Sequence, residues 1–234
     1  MSITASPTKR WAAVAAAVAF AVAGVALTSA IPAVEGLGEK VRLPMFHGGS
    51  TWVNMATFTL MGVFGAIYYI TEHKGAYGWM AGFMAISAPL WLANTVMGVI
   101  AAASTWDFSG SKQSPIGVIW QDPRLTAQFW LLLGVGGLLI AVLTTQSRRV
   151  HALAAIAYTA LMWVLLGTVM WGPARALHPD NPVLNSGLDI QVPFFSIVAC
   201  VFAAAVLGAW LVRDRVAHAE VARLAEESET APER

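Results

Sequence analysis

The chain has 234 residues, of which 57% are hydrophobic and only 12% are charged, and its formal net charge is +1. Soluble domains carry about 25% charged residues, so this composition excludes a water-soluble globular enzyme. The net charge by itself says nothing about nucleic-acid binding, but the sequence has no basic cluster that would indicate it. Because the chain has one cysteine, Cys200, an internal disulfide and a CxxCH haem-attachment motif are both excluded.

Long apolar runs alternate with short polar segments along the whole chain. A helix of about 20 apolar residues spans the roughly 30 Å hydrocarbon core of a bilayer with all its backbone groups satisfied. The sequence therefore predicts an all-α fold, a polytopic membrane protein with six transmembrane helices and no soluble domain. The predicted spans, in chain order, are Trp11–Ile31, Gly49–Ile70, Gly78–Ala103, Thr126–Thr145, Val150–Trp171 and Ile190–Val212.

The first run has a second interpretation, a secretory signal peptide. Lys9 and Arg10 precede it, and Thr28-Ser29-Ala30 resembles a signal-peptidase cleavage site. Its apolar stretch is long for a signal sequence, so we expect a retained helix and keep cleavage as the alternative.

The distribution of lysine and arginine predicts the topology. Nine of these residues fall on the side of the two termini and five on the other side. Basic residues favour the cytoplasmic side, so we expect both termini in the cytoplasm of a bacterial cell, and the protein in its inner membrane. The predicted organisation is a cytoplasmic N-terminus at 1–10, a six-helix membrane domain at 11–212 with a long outer loop at 104–126, and a partly disordered cytoplasmic tail at 213–234.

Two histidines, His47 and His178, fall on the predicted outer face, just before the second run and after the fifth. Each follows an arginine at short range and has a tryptophan nearby. Two such histidines can supply both axial bonds to a haem iron. Arg42, Arg124 and Arg175 can pair with its propionates through charge-assisted hydrogen bonds.

The outer loop interleaves aromatic and charged residues. Trp106 and Trp120 precede Asp122-Pro123-Arg124-Leu125-Thr126. On composition alone this is an interfacial aromatic belt followed by a helix start, with Pro123 near the first turn.

Taken with His47 and His178, this layout resembles the cytochrome c assembly proteins of the CcmC/CcsA type. Members of that family have six helices, an outer WWD segment between the third and fourth, one outer histidine at the start of the second helix and another in the loop between the fifth and sixth. Asp122-x-Arg124-Leu125-Thr126 is similar to the end of the WWD motif. Trp120 stands one position earlier than the family tryptophan, whose place Gln121 occupies, and the earlier tryptophans of the motif are absent.

The resemblance implies haem handling by ligation and transfer rather than by bond-making catalysis. Haem b would be held at the outer face between His47 and His178, with the WWD-like segment containing Trp106, Trp120, Asp122 and Arg124 against the ring. The partners implied are a periplasmic haem chaperone and ABC-transporter subunits, which pass haem on for cytochrome c maturation.

Two other functions remain open on the sequence. The first is a membrane-anchor subunit of a respiratory complex, which handles quinol or electrons through resident haem b. The second is a small-solute transporter without haem. No run has a histidine or a charged residue in its middle, which argues against intramembrane haem and against ion-coupled transport.

Overall fold

A computed structural model describes residues 5–171 and 183–230, with side chains described for 5–169 and 183–219. The described residues contain seven α-helices and no β-strand. Six of the helices are long and apolar enough to cross a membrane, which confirms the predicted all-α, multi-pass architecture. The helices are α1 Pro7–Ala26, α2 Arg42–Thr71, α3 Lys74–Thr105, α4 Pro115–Gln121, α5 Pro123–Thr144, α6 Arg148–Trp171 and α7 Leu188–Thr230. The short α4 is the one that cannot span.

Several helices begin with a capping residue followed by proline. The Ser6 hydroxyl accepts a hydrogen bond from a first-turn N–H of α1, and Pro7 follows it. The Asp122 carboxylate does the same for α5, with Pro123 next, and α4 begins in this way too. Proline is favoured there because it lacks the N–H that would have no helical partner. The predicted helix start at Pro123 is confirmed.

The antiparallel helices α2 and α3 form the centre of the bundle. Helix α6 packs on α2, α5 packs on α6 and α3, and α7 packs on both α2 and α3. Helix α1 packs mainly along α7. The start of α1 lies beside the later part of α7, because Arg10 Nε is 2.5 Å from Asp214 Oδ2. We call this the termini end of the bundle, and the opposite end, with residues 31–41 and 106–122, the loop end.

The apolar core consists of three clusters. The largest joins α2, α3, α5 and α6, and in it the Phe58 ring lies 6.1 Å from Trp91 and 4.7 Å from Tyr158, centroid to centroid. A second cluster joins the segment 27–41 to α2 and α7 near the loop end. A third, small cluster of Ala102, Ile119 and Leu125 fixes the outer loop on α3 and α5.

Two helix boundaries differ from the prediction by more than five residues. Helix α2 begins at Arg42, seven residues before the predicted Gly49, so the expectation that His47 precedes the helix is wrong. The apolar run is interrupted by Arg42 and Pro44, but proline is tolerated in a first helical turn because its N–H has no partner there. Helix α7 continues through the predicted tail as far as Thr230, across a segment rich in strong helix formers.

Candidate functional site

His47 lies in the second turn of α2, half-buried at the loop end of the bundle. Its Nδ1 is 3.0 Å from the main-chain carbonyl oxygen of Asn94 on α3. A carbonyl oxygen only accepts hydrogen bonds, so Nδ1 carries the proton of the neutral ring. The lone pair is therefore on Nε2, the form in which an imidazole binds a metal.

The Nε2 atom of His47 faces α5. The side-chain amide nitrogen of Gln128 lies 3.4 Å from it and donates a long hydrogen bond, which is weak at this distance. Gln128 is itself held in register by its main-chain carbonyl, which accepts from the Trp91 indole at 3.3 Å. A histidine whose Nδ1–H is held by a backbone carbonyl has the tautomer and the fixed ring orientation that a metal ligand requires.

Gly98 on α3 allows His47 to lie this close. A methyl group added at Gly98 would lie 2.7 Å from His47 Cε1 and 3.1 Å from a Leu125 methyl carbon. Only a residue without a side chain fits between them. Through Gly98, the structure brings His47 within contact range of the start of α5, which carries the WWD-like residues.

The buried carboxylate of Asp122 organises this start. Asp122 is 1% exposed, and its Oδ1 accepts from the N–H groups of Arg124 at 2.9 Å and Leu125 at 3.0 Å. The Thr126 hydroxyl donates to the main-chain oxygen of Trp120 at 2.7 Å. Asp122 therefore contributes to the site as the cap that positions α5.

The two predicted tryptophans have different surroundings. Trp106 directly follows the last residue of α3. It is half-buried and packs with Phe108 in the small cluster under the outer loop. Trp120 is 55% exposed and meets the Phe129 ring edge-on, with centroids 4.1 Å apart. Trp106 thus fixes the loop, whereas Trp120 presents its ring at the surface. Between them, hydrogen bonds from the Ser109 backbone and side chain hold the pKa of the exposed Asp107 below its usual range.

Two of the three predicted arginines, Arg42 and Arg124, are among the described residues. Arg42 is the first residue of α2; its Nε donates to the Ile31 carbonyl at 3.3 Å, and its Nη1 is 3.1 Å from Glu39 Oε2. Arg124 is half-buried in the first turn of α5. Arg175 and His178 lie outside the described residues, so the second predicted histidine is not located.

A set of buried polar residues, which the sequence analysis did not select, continues from His47 toward the middle of the bundle. The Asn94 amide donates to the Thr51 hydroxyl at 2.9 Å, and the Ser87 hydroxyl donates to that of Thr57 at 2.8 Å. Among the described residues, five buried side-chain oxygens have no hydrogen-bond partner: the Tyr158 hydroxyl and four in this set, Ser50 Oγ, Asn54 Oδ1, Asn94 Oδ1 and Gln128 Oε1. The sequence does contain a signal for this set, the three amide side chains of Asn54, Asn94 and Gln128 within apolar runs. The interpretation of these runs used only charged residues and histidine.

The remaining histidines lie at the termini end. His73 is exposed at the turn between α2 and α3. His151 is only 7% exposed and is hydrogen-bonded to Tyr77. The ring of His218 is half-buried beside Arg10 and Asp214.

The sequence matches no family model, and no curated protein matches it either. Within residues 5–169 and 183–219, no three His, Cys, Asp or Glu side chains come together as a metal site.

Proposed function

We propose that the protein is a haem-binding membrane protein of cytochrome c biogenesis, which holds haem b at the outer membrane face and passes it to an assembly partner. One observation carries the proposal. His47 is fixed by the Asn94 carbonyl with its Nε2 lone pair directed away from that bond. Haem supplies an iron that accepts such nitrogens at its axial positions. His178, in the segment after α6, is the proposed second ligand.

The surroundings of His47 suit a ligand that is bound reversibly and then transferred. Gln128 gives Nε2 a hydrogen bond when the histidine is unligated, at a distance of 3.4 Å that makes it easy to displace. The same amide can return to Nε2 on release, so the nitrogen is not left bare in a buried site. Arg42 and Arg124, with Arg175, offer guanidinium groups for carboxylates, and the exposed Trp120 offers an aromatic surface.

The charge distribution supports an orientation with both termini in the cytoplasm of a bacterial inner membrane. The termini end carries Lys9, Arg10, Lys74, Arg148 and Arg149, as the positive-inside rule favours. The loop end then faces the periplasm, where cytochrome c receives haem. The proposed partners there are a haem chaperone and ABC-transporter subunits. The role is ligation and transfer, so we propose no catalytic residue.

The respiratory-anchor alternative is less well supported. A haem within the bilayer needs two histidines facing each other from different helices. Among the described residues, the other histidines (His73, His151 and His218) all lie at the opposite end of the bundle from His47.

A second candidate function, transport of a small uncharged polar solute, is favoured by a different observation. The unpartnered oxygens of Ser50, Asn54, Asn94 and Gln128 lie between α2, α3 and α5 and are acceptors for a hydrogen-bond donor. This function predicts a protein without bound haem.

An absorption spectrum of the detergent-purified protein, expressed in a haem-replete host, separates these functions. We expect a Soret band in the wild type and its loss or shift in His47→Ala and in His178→Ala. His73→Ala is the matched control, because His73 is exposed at the other end of the bundle, and its spectrum should equal that of the wild type. A colourless wild type, or a His47→Ala spectrum identical to it, would overturn the proposal.

A further inference from the structure

At the termini end, far from His47, a cleft of about 200 Å³ lies between α3, α5 and α6. Its walls are mostly apolar, with Met80 and Met84 on one side and Leu139 and Val142 on the other. Methionine side chains are flexible and adapt to irregular apolar ligands. The polar groups of the lining are those of Tyr77 and His151.

The hydrogen bonds of Tyr77 and His151 limit what this cleft can bind. His151 Nε2 is 3.0 Å from the Thr145 carbonyl oxygen, so Nε2 carries the ring proton. Its Nδ1 therefore accepts from the Tyr77 hydroxyl, at 2.9 Å. Both protons are already donated, one to His151 Nδ1 and the other to the Thr145 carbonyl oxygen, so the pair offers no donor to the carbonyl groups of a quinone.

The mouth of the cleft is cationic. The Arg148 guanidinium lies 5.0 Å above the centre of the Tyr77 ring. Lys74, the first residue of α3, lies one turn before Tyr77 on that helix. Arg149 is paired with Glu72 close by. None of the residues lining the cleft is acidic. An apolar cleft behind a cationic mouth complements a phosphate group carrying an acyl chain.

We propose that this cleft binds one anionic phospholipid, with its phosphate beside Arg148 and one acyl chain between Met84 and Val142. Basic residues are common at this end of membrane proteins. The cleft behind them distinguishes this site, because it can retain a chain as well as attract a headgroup. The proposal does not depend on haem.

Native mass spectrometry of the full chain tests the proposal. The protein is exchanged into detergent containing equal amounts of phosphatidylglycerol and phosphatidylcholine with identical chains, and retained lipid is counted. We expect one phosphatidylglycerol per chain, retained at least fivefold over phosphatidylcholine, and a loss of about fivefold in that preference for Arg148→Gln. Ala85→Phe, which fills the cleft from its exposed edge, should remove retention of both lipids.

Arg215→Gln is the matched control. Arg215 is exposed on α7 at the same end of the bundle, and its substitution removes the same charge as Arg148→Gln does. An effect equal to that of Arg148→Gln would show general charge attraction and overturn the proposal. So would equal retention of the two lipids, or displacement of phosphatidylglycerol by added ubiquinone. The thermal unfolding transition of each variant shows whether it is folded. If Ala85→Phe does not fold, Arg148→Gln, which leaves the cleft open, still tests the proposal.

Discussion

The contact between Gly98 and His47 leads to the first prediction at the scale of single residues. A methyl group at Gly98 would lie 2.7 Å from His47 Cε1, so Gly98→Ala must displace the imidazole from the Asn94 carbonyl. We expect the haem-loaded variant to lose or shift its Soret band as His47→Ala does. The absorption spectrum measures this directly.

Gly136→Ala is the control for that substitution, because no described residue lies within 4 Å of a methyl group added there. Alanine in a helix interior is favoured over glycine by about 0.5–1 kcal/mol. Gly136→Ala should therefore keep the wild-type spectrum and unfold no more easily. A normal spectrum for Gly98→Ala would contradict the proposed position of the ligand.

The hydrogen bond from Gln128 leads to the second prediction. If the amide competes with iron for His47 Nε2, Gln128→Ala should release haem more slowly, by about two- to twelvefold, because a net hydrogen bond is worth about 0.5–1.5 kcal/mol. Transfer of haem to apomyoglobin, followed by absorbance, gives the rate. Gln113→Ala, in the exposed outer loop, should leave the rate unchanged. Faster release from Gln128→Ala would show that the amide supports the bound state instead.

Part of this candidate site is predictable from the sequence, because it depends only on residue types and their spacing. Histidine at a predicted membrane boundary and the Asp122-x-Arg124 segment are visible as residue types at a given spacing. The role of Gln128 was not visible, because it depends on α5 lying beside α2. Gly98 was equally hidden, since its importance comes from the two side chains on either side of it.

At the scale of helices, the packing of α1 on α7 depends on a buried charge. The Asp214 side chain is 4% exposed and accepts from Arg10 Nε at 2.5 Å and from the Ala5 N–H at 2.9 Å. Arg10→Gln leaves this carboxylate without its cation. We expect the free energy of unfolding to fall by about 1–3 kcal/mol, with part of the loss restored by adding Asp214→Asn.

Unfolding in mixed micelles, monitored by circular dichroism, measures this change. Lys9→Gln is the control, because Lys9 is exposed and adjacent in sequence, and an exposed charge contributes little. Equal losses for Arg10→Gln and Lys9→Gln would mean that the ion pair does not hold α1 on α7.

Helix starts were predictable where capping chemistry is local. Asp122-Pro123 predicts the start of α5 and the structure agrees. The start of α2 has no capping side chain; it follows a short 3₁₀ turn, Glu39–Val41. Hydropathy therefore located the apolar part of α2 and missed its polar first turns, where His47 lies.

At the scale of the whole molecule, the orientation in the membrane is the main prediction. In a Cys200→Ser background, Ser109→Cys at the loop end should react with a membrane-impermeant maleimide on intact spheroplasts. His73→Cys, at the termini end, should react only after lysis. Both positions are exposed, so accessibility to the reagent reports the side of the membrane. The reverse pattern would place both termini outside.

The six spans were predictable because a bilayer requires about 20 apolar residues for each crossing, whatever the helices pack against. The arrangement of the helices was not, since it depends on side-chain contacts between distant segments. The buried amides show this limit well. Asn54 and Asn94 are visible in the sequence as polar residues in apolar runs, but only the packing of α2 on α3 shows that both are fully buried.

Chemical rescue tests most directly whether His47 is a haem ligand. His47→Gly removes the imidazole and leaves space for a free one. We predict that the haem-loaded variant loses the low-spin spectrum and that added imidazole restores it, while His73→Gly is unaffected by either step. A His47→Gly protein whose spectrum equals that of the wild type before imidazole is added would contradict the account.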